Sequence, residues 1–411
     1  MEGAAVKMNA KEKILMILPR KLFPLVSGYS LKNYYLIQIL AREYEITLYL
    51  LSKEEIQEEE REFYTQYVQE LHVCQLSSFE RFTGLIYAGI KGLPLQSGLY
   101  FSSRIEKKLR ENAKKNYKLV ICELVRTMMY SEKMELPIVF DMVDSIGLNY
   151  QEAQKKTNSI FLKLYYKFET DRLLKYEKHS IQRANVTFLF NQGETEYWKH
   201  NGNVKLLPHG VREELLDYAE DEAAYEILKE SLKLPEEFVS FIGKMNYQPN
   251  VDAVSWYVDQ VHSKLENAPA LVILGAYPTD HIKQLTKQYK NIIVTGYMDD
   301  PYLILKKAIA VIAPMQTGGG IQNKVLEAMA LGKINLLSSK AAAPIGNAEE
   351  GKEYMICDTF QQYRAAYERI RRDPGFGKKI GENARKFVND NFTWKRYGTL
   401  YLDEIRQIRK G

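Results

Sequence analysis

Hydrophobic residues along this chain fall into short unbroken runs, separated by longer stretches with helical periodicity. The first half holds ILMILP (Ile14–Pro19), EITLYLL (Glu45–Leu51), KLVICE (Lys118–Glu123), PIVFDMV (Pro137–Val143), NVTFLF (Asn185–Phe190) and VKLLP (Val204–Pro208). The second holds FVSFIG (Phe238–Gly243), ALVILG (Ala270–Gly275), IIVTG (Ile292–Gly296), IAVIAP (Ile309–Pro314) and INLLSS (Ile334–Ser339). Apolar runs without polar alternation are strands buried on both faces, and such strands alternating with helices build parallel sheets. The pattern predicts an α/β chain with two Rossmann-like domains, 1–211 and 238–393, facing each other across a cleft. Between them REELLDYAEDEAAYEILKESLKLPEE, residues 212–237, is acidic and helix-prone and reads as a solvated linker. A last helix within 394–411 is expected to pack back on the first domain.

One stretch breaks the pattern of charge. In TGGGIQNKVLEAMALGK (Thr317–Lys333) three glycines follow a strand and open a helix that is apolar nearly all round, yet Lys324 sits in its first turn. A cation is unfavourable there, because the unpaired N–H groups of a helix start already present positive charge. Ligands of such sheets bind at the carboxyl ends of strands, and glycines let backbone N–H groups approach a phosphate closely. A diphosphate would neutralise Lys324; the competing reading extends the side chain to solvent. The spacing is neither a dinucleotide fingerprint nor a P-loop.

Composition narrows the classes. The chain has 411 residues, enough for two or three domains, with 45% hydrophobic and 27% charged residues and a net charge of +5. That charge is too small to imply nucleic acid, but it suits an anionic substrate or an acidic membrane surface. The three cysteines, Cys74, Cys122 and Cys357, are widely spaced and lack metal-ligand spacing, as in a reduced compartment. With no signal-peptide core and no apolar run of about 18 residues, the expectation is a cytoplasmic protein that does not span a membrane.

The run GGGIQNKVLEAMALGK resembles the donor-site signature of family-four glycosyltransferases, whose two-domain fold is called GT-B, and is closest to bacterial exopolysaccharide and surface-polysaccharide sugar transferases. The likeness extends to FIGKMNYQPNVDAVSWYV (Phe241–Val258), VTGYMDDPYLILKKA (Val294–Ala308), SGYSLKNYYLIQILA (Ser27–Ala41), FDMVDS (Phe140–Ser145) and KFETDRLLKYEKHSI (Lys167–Ile181). It implies a nucleoside diphosphate sugar donor, a UDP-sugar first, and transfer with retention to a glycan or lipid-linked acceptor. On the matching positions, Glu327 would bind the ribose hydroxyls, and Lys324 and Lys244 the diphosphate. Tyr297 and Met298 would meet the base; Gly28, Gly319, Gly320 and Ile321 would approach the phosphates. An earlier family glutamate would fall at Gly319, so the sugar is less readable. A second basic residue expected after Lys244 is replaced by Pro249 and Asn250, a place Lys324 can fill. His209 stands where asparagine is common, either a cleft hydrogen-bonding group or a packing residue.

Leaving-group charge would be stabilised by Lys244, Lys324 and the helix start, so neither metal nor cofactor is expected; FDMVD spaces Asp141 and Asp144 unlike an Asp-x-Asp site. Asp144 has two readings, an acceptor-side group or the cap of a helix beginning near Ser145. RIEKKLRENAKKNYK (Arg104–Lys118) and IFLKLYYKFETDRLLKY (Ile160–Tyr176) are either solvated faces or contacts with anionic lipid at the inner face of the plasma membrane. An inert partner subunit of the same fold and a sugar-nucleotide epimerase are the alternatives. An oxidoreductase is disfavoured, because only Gly28 follows the first strand.

Overall fold

In the computed structural model, residues 11–25, 27–52, 54–157, 159–317 and 320–408 are described. The chain divides into two compact units, one ending at Pro208 and taking in the chain from Tyr397 onward, the other His209–Arg396.

The first unit is built on β1 (Glu12–Leu18), β2 (Tyr44–Ser52), β3 (Glu70–Gln75), β4 (Val120–Glu123), β5 (Ile138–Val143), β6 (Val186–Leu189) and β7 (Val204–Leu206). They form one seven-stranded sheet in the order β3-β2-β1-β4-β5-β6-β7, with every neighbouring pair parallel. β1 is buried from Ile14 to Leu18, which is why its sequence shows no alternation. β3 escaped the sequence reading because ELHVCQ is an edge strand, mostly half-buried or exposed, and mixes polar with apolar residues. From Tyr397 the final helix, Trp394–Ile408, belongs to this unit: the Tyr401 ring lies 4.6 Å from that of Phe188, and Lys205 pairs with Glu404 at 3.3 Å.

The second unit carries β8 (Phe238–Ile242), β9 (Ala270–Leu274), β10 (Ile292–Gly296), β11 (Ala310–Ala313), β12 (Asn335–Leu337) and β13 (Met355–Ile356). Its six strands run β10-β9-β8-β11-β12-β13, again all parallel. In both sheets the strand order reverses beside the first strand, giving two Rossmann-like units with switch points at β1/β4 and β8/β11. The acidic segment 212–237 behaves differently from the solvated linker expected. Helix Glu222–Leu232 and its flanks place Leu215, Leu216, Tyr225 and Leu234 in the core of the second unit. Its acidic residues took the outer face, and the apolar ones between them were the packing signal.

Candidate functional site

The switch point of the second sheet gathers the donor-side candidates. β8 ends at Ile242 and is followed by Gly243 and Lys244, and the chain after β11 reaches Gly320, Ile321 and helix Asn323–Ala330. The strand ends pack at backbone distance: a Cβ on Gly275 would lie 1.9 Å from Gly243 O, and one on Gly243 would lie 2.6 Å from Asn250 Nδ2. Gly243 N donates to Leu274 O at 2.9 Å and Met245 N to Ala276 O at 2.9 Å, so the loop bearing Lys244 is laced to the end of β9. Gly320 has φ of 84°, a conformation that favours glycine. Gly319 lies outside the described residues.

Lys324 does not extend to solvent. Its ammonium donates to Asn250 Oδ1, lies 3.7 Å from Met315 Sδ, and sits 4.6 Å from the Phe241 ring centroid. Among the described residues no carboxylate forms an ion pair with it. Burial pushes its pKa down to about 7, against a weaker upward pull from Glu327. Asn250 Nδ2 in turn donates to the carbonyl of Lys244 at 2.9 Å. The lysine therefore reaches the segment in which the sequence lacked a second basic residue. Asn250 is a site residue that sequence reasoning passed over, since an asparagine early in a helix reads as ordinary capping chemistry.

Glu327 lies one turn further along. Burial raises its pKa, opposed by the Arg212 charge, a hydrogen bond from Tyr302 and Lys324. Arg212 and Tyr302 were also missed, because only folding brings them beside the helix. At the end of β10, Gly296 turns with φ of 75°; Tyr297 is exposed and Met298 packs partly into the core. His209 is buried, with its ring 6.2 Å from Trp394 in a stacked arrangement and Nδ1 3.0 Å from Gly210 O.

In the first unit, Gly28 is the first residue of helix Gly28–Ala41, which Ser27 caps by accepting from Ser30 N. Asp141 points inward: with Glu123 it holds the buried Lys32 ammonium, Glu123 Oε2 lying 2.6 Å from Nζ. Asp144 follows a distorted strand end. Val143 takes φ of 68°, strained for a β-branched residue, and the β5–β6 register shifts between Asp141 and Val143. The cap of helix Ile146–Lys156 is Ser145, so Asp144 does not have the capping role read from the sequence. Asp144 Oδ2 instead accepts from Asn149 Nδ2 at 2.9 Å. Around it, Ser145 N donates to Glu194 at 2.8 Å, Ser145 Oγ to Glu177 at 2.7 Å, and Gly147 N to Glu177 at 3.0 Å. Burial pushes Glu177 and Glu194 each up to about 8, and it raises Asp144 as well.

Comparison with known proteins adds three findings. Residues 236–373 match the family model for group 1 glycosyl transferases. An uncharacterized glycosyltransferase of Methanocaldococcus jannaschii is 23% identical over 238 residues, 53% of this chain and 55% of that protein, so the chain spans about half the length of the curated relative it matches. Sucrose-phosphate synthase from Thermosynechococcus elongatus superposes with a TM-score of 0.69 at 14% identity, covering 97% of this chain and all of the other. Anabaena HepE, solved with UDP, gives 0.67 at 12% identity over 96% of this chain and all of that one. At these identities the two structures show the fold, the GT-B architecture of glycosyltransferases.

Proposed function

We propose that the chain is a retaining, metal-independent glycosyltransferase. It takes a sugar from a nucleoside diphosphate sugar, a UDP-sugar first, to a glycan or lipid-linked acceptor in bacterial surface polysaccharide or glycoconjugate assembly. The observation that carries this reading is Lys324, a half-buried cation without a carboxylate partner among the described residues, beside a glycine-rich strand end on the sheet's switch point. A group in that state is completed by an anion. The match of residues 236–373 to group 1 glycosyl transferases supports a sugar donor as the source of that anion, and HepE, also solved with UDP-glucose, supports uridine.

In this reading the ribose diol donates to Glu327, held by Tyr302 and Arg212. Gly320, Ile321 and the N–H groups opening helix Asn323–Ala330 meet the diphosphate, with Tyr297 and Met298 at the base. As the sugar–phosphate bond breaks, negative charge grows on the diphosphate, and Lys324 and Lys244 stabilise it without reorganising. In the first unit, Gly28 is the donor-phosphate candidate and Asp144 the group that orients the acceptor hydroxyl. The protein works in the cytoplasm, peripheral on the inner face of the plasma membrane. Titration calorimetry with UDP and GDP tests the donor site: UDP is expected to bind, and absence of heat from both at millimolar concentration rejects it. Release of UDP dependent on donor and acceptor separates a transferase from an inert subunit or an epimerase.

A further inference from the structure

Helix Ser78–Lys91 is turned the wrong way for a core helix. Its buried residues are Gly84 and Ala88, and a Cβ on Gly84 would come within 2.2 Å of Gly98 O. Its large apolar residues, Phe79, Phe82, Ile86 and Ile90, are exposed, Phe79 by 75% and Ile90 by 79%. They recur at helical spacing and form one stripe. A helix shaped only by packing within this chain would bury that stripe and turn Gly84 and Ala88 outward.

The first turns of helix Ile160–Arg183 share the anomaly. Ile160, Phe161, Leu164, Tyr165 and Phe168 are exposed, Phe161 by 87%, and burial begins only at Glu169. Ten of the seventeen exposed large hydrophobic side chains among the described residues lie on these two helices, so the exposure is concentrated, not scattered. Arg172 ties the helices together. It donates to Leu93 O at 3.3 Å, just past the end of the first helix, and its guanidinium lies 4.0 Å from the Phe168 ring centroid. Gln96 N donates to Glu169 at 3.0 Å beside it.

Charge selects the occupant. Residues 160–168 contain Lys163 and Lys167 and no acid; helix Ser78–Lys91 carries Arg81 and Lys91 with one acid, Glu80, which Arg104 neutralises at 3.0 Å. Aromatic and aliphatic side chains interleaved with cations complement anionic headgroups over acyl chains. We propose that these two helices form one docking surface for an anionic lipid bilayer, with the phenylalanine and isoleucine stripes entering the headgroup boundary. The basic run of helix Ser103–Ala113 is not part of it: Ile105 and Leu109 are buried, and Arg104 is paired with Glu80 at 3.0 Å. For the acceptor this rests on the lipid-linked reading above, but the surface is tested without sugar.

The full chain is sedimented with vesicles of neutral phosphatidylcholine and with vesicles containing about 30% phosphatidylglycerol. Binding to the anionic vesicles alone is expected, weakening with salt. Phe82→Ser with Ile90→Ser, Phe161→Ser with Phe168→Ser, and Lys163→Glu with Lys167→Glu should each lower partitioning at least about tenfold. Melting temperature and UDP affinity should stay unchanged, because these side chains are exposed and lie outside the second unit. Absence of binding at millimolar lipid, or unaltered binding by all three variants, overturns the proposal. So does loss of a dimer, without lipid binding, in the same variants, which would assign the surface to a second copy. Vesicle binding without UDP binding would reject the donor site and leave the docking surface standing.

Discussion

Lys324 concentrates the electrostatic problem of the second unit in one side chain. Its position at a helix start and its burial both oppose a charge, and Asn250 supplies only a dipole. Because its folded pKa is pushed down to about 7, the unfolded chain binds more protons between about pH 7 and 10. Its penalty on stability is therefore complete below that window and relieved as pH rises through it. Lys324→Met should melt close to the parent at neutral pH, because relief of the cation offsets the partner lost by Asn250. Transfer should fall about 100-fold, the scale of one lost preorganised donor. UDP binding to the parent should take up a proton and weaken as pH rises above about 7, by up to about tenfold per unit; the variant should show a flat profile by calorimetry. Glu327→Gln should chiefly raise the Kd for the donor, since its proposed partner is the ribose. A Lys324→Met protein that transfers normally and melts far lower would make the lysine structural.

At the scale of elements, the site depends on strand ends packed closer than any side chain permits. Gly275→Ala must force Gly243 O away, loosening the loop that carries Lys244. A loss of about 1–3 kcal/mol is expected from such overpacking, together with weaker UDP binding, both read from urea melts with and without nucleotide. Gly89, in the last turn of helix Ser78–Lys91, has open space where a Cβ would go. Gly89→Ala should therefore stabilise by about 0.5–1 kcal/mol. Equal effects from the two alanines would mean that close approach does not govern the strand ends. The sequence located these strands but missed β3 and β13. One is a polar edge strand and the other has only the two residues Met355–Ile356, so neither could produce the buried runs that marked the rest.

At the scale of the molecule, the two units should answer pH in opposite directions. In the first, burial pushes Glu177 and Glu194 each up to about 8. Above about pH 4.5 the unfolded chain loses protons that these folded carboxyls keep, so the first unit loses stability as pH rises toward about 8. In the second, Lys324 and Lys333 are pushed down to about 7 and about 8, so their contribution improves from about pH 7 toward 10. Hydrogen exchange at pH 6 and pH 8.5, corrected for intrinsic rates, should show β4 and β5 losing protection while β8 and β9 hold or gain it. Parallel change in both sheets would contradict the assignment.

The sequence by itself determined the alternation of buried strands with helices, and with it two parallel sheets, because burial on both faces leaves a strand few polar positions. It also marked the glycine turn and its misplaced lysine, since both are properties of adjacent residues. Only the tertiary structure decided what surrounds that lysine: Asn250 and Phe241 are more than 70 residues away in the chain, and they meet it beside Met315 where β8 and β11 lie side by side. The same holds for Glu177 and Glu194 around Ser145, which belong to separate helices. The outward stripe of helix Ser78–Lys91 was beyond sequence reading for a related reason. Periodicity shows that a helix has an apolar face, but only packing against Gly98 decides which face the core takes.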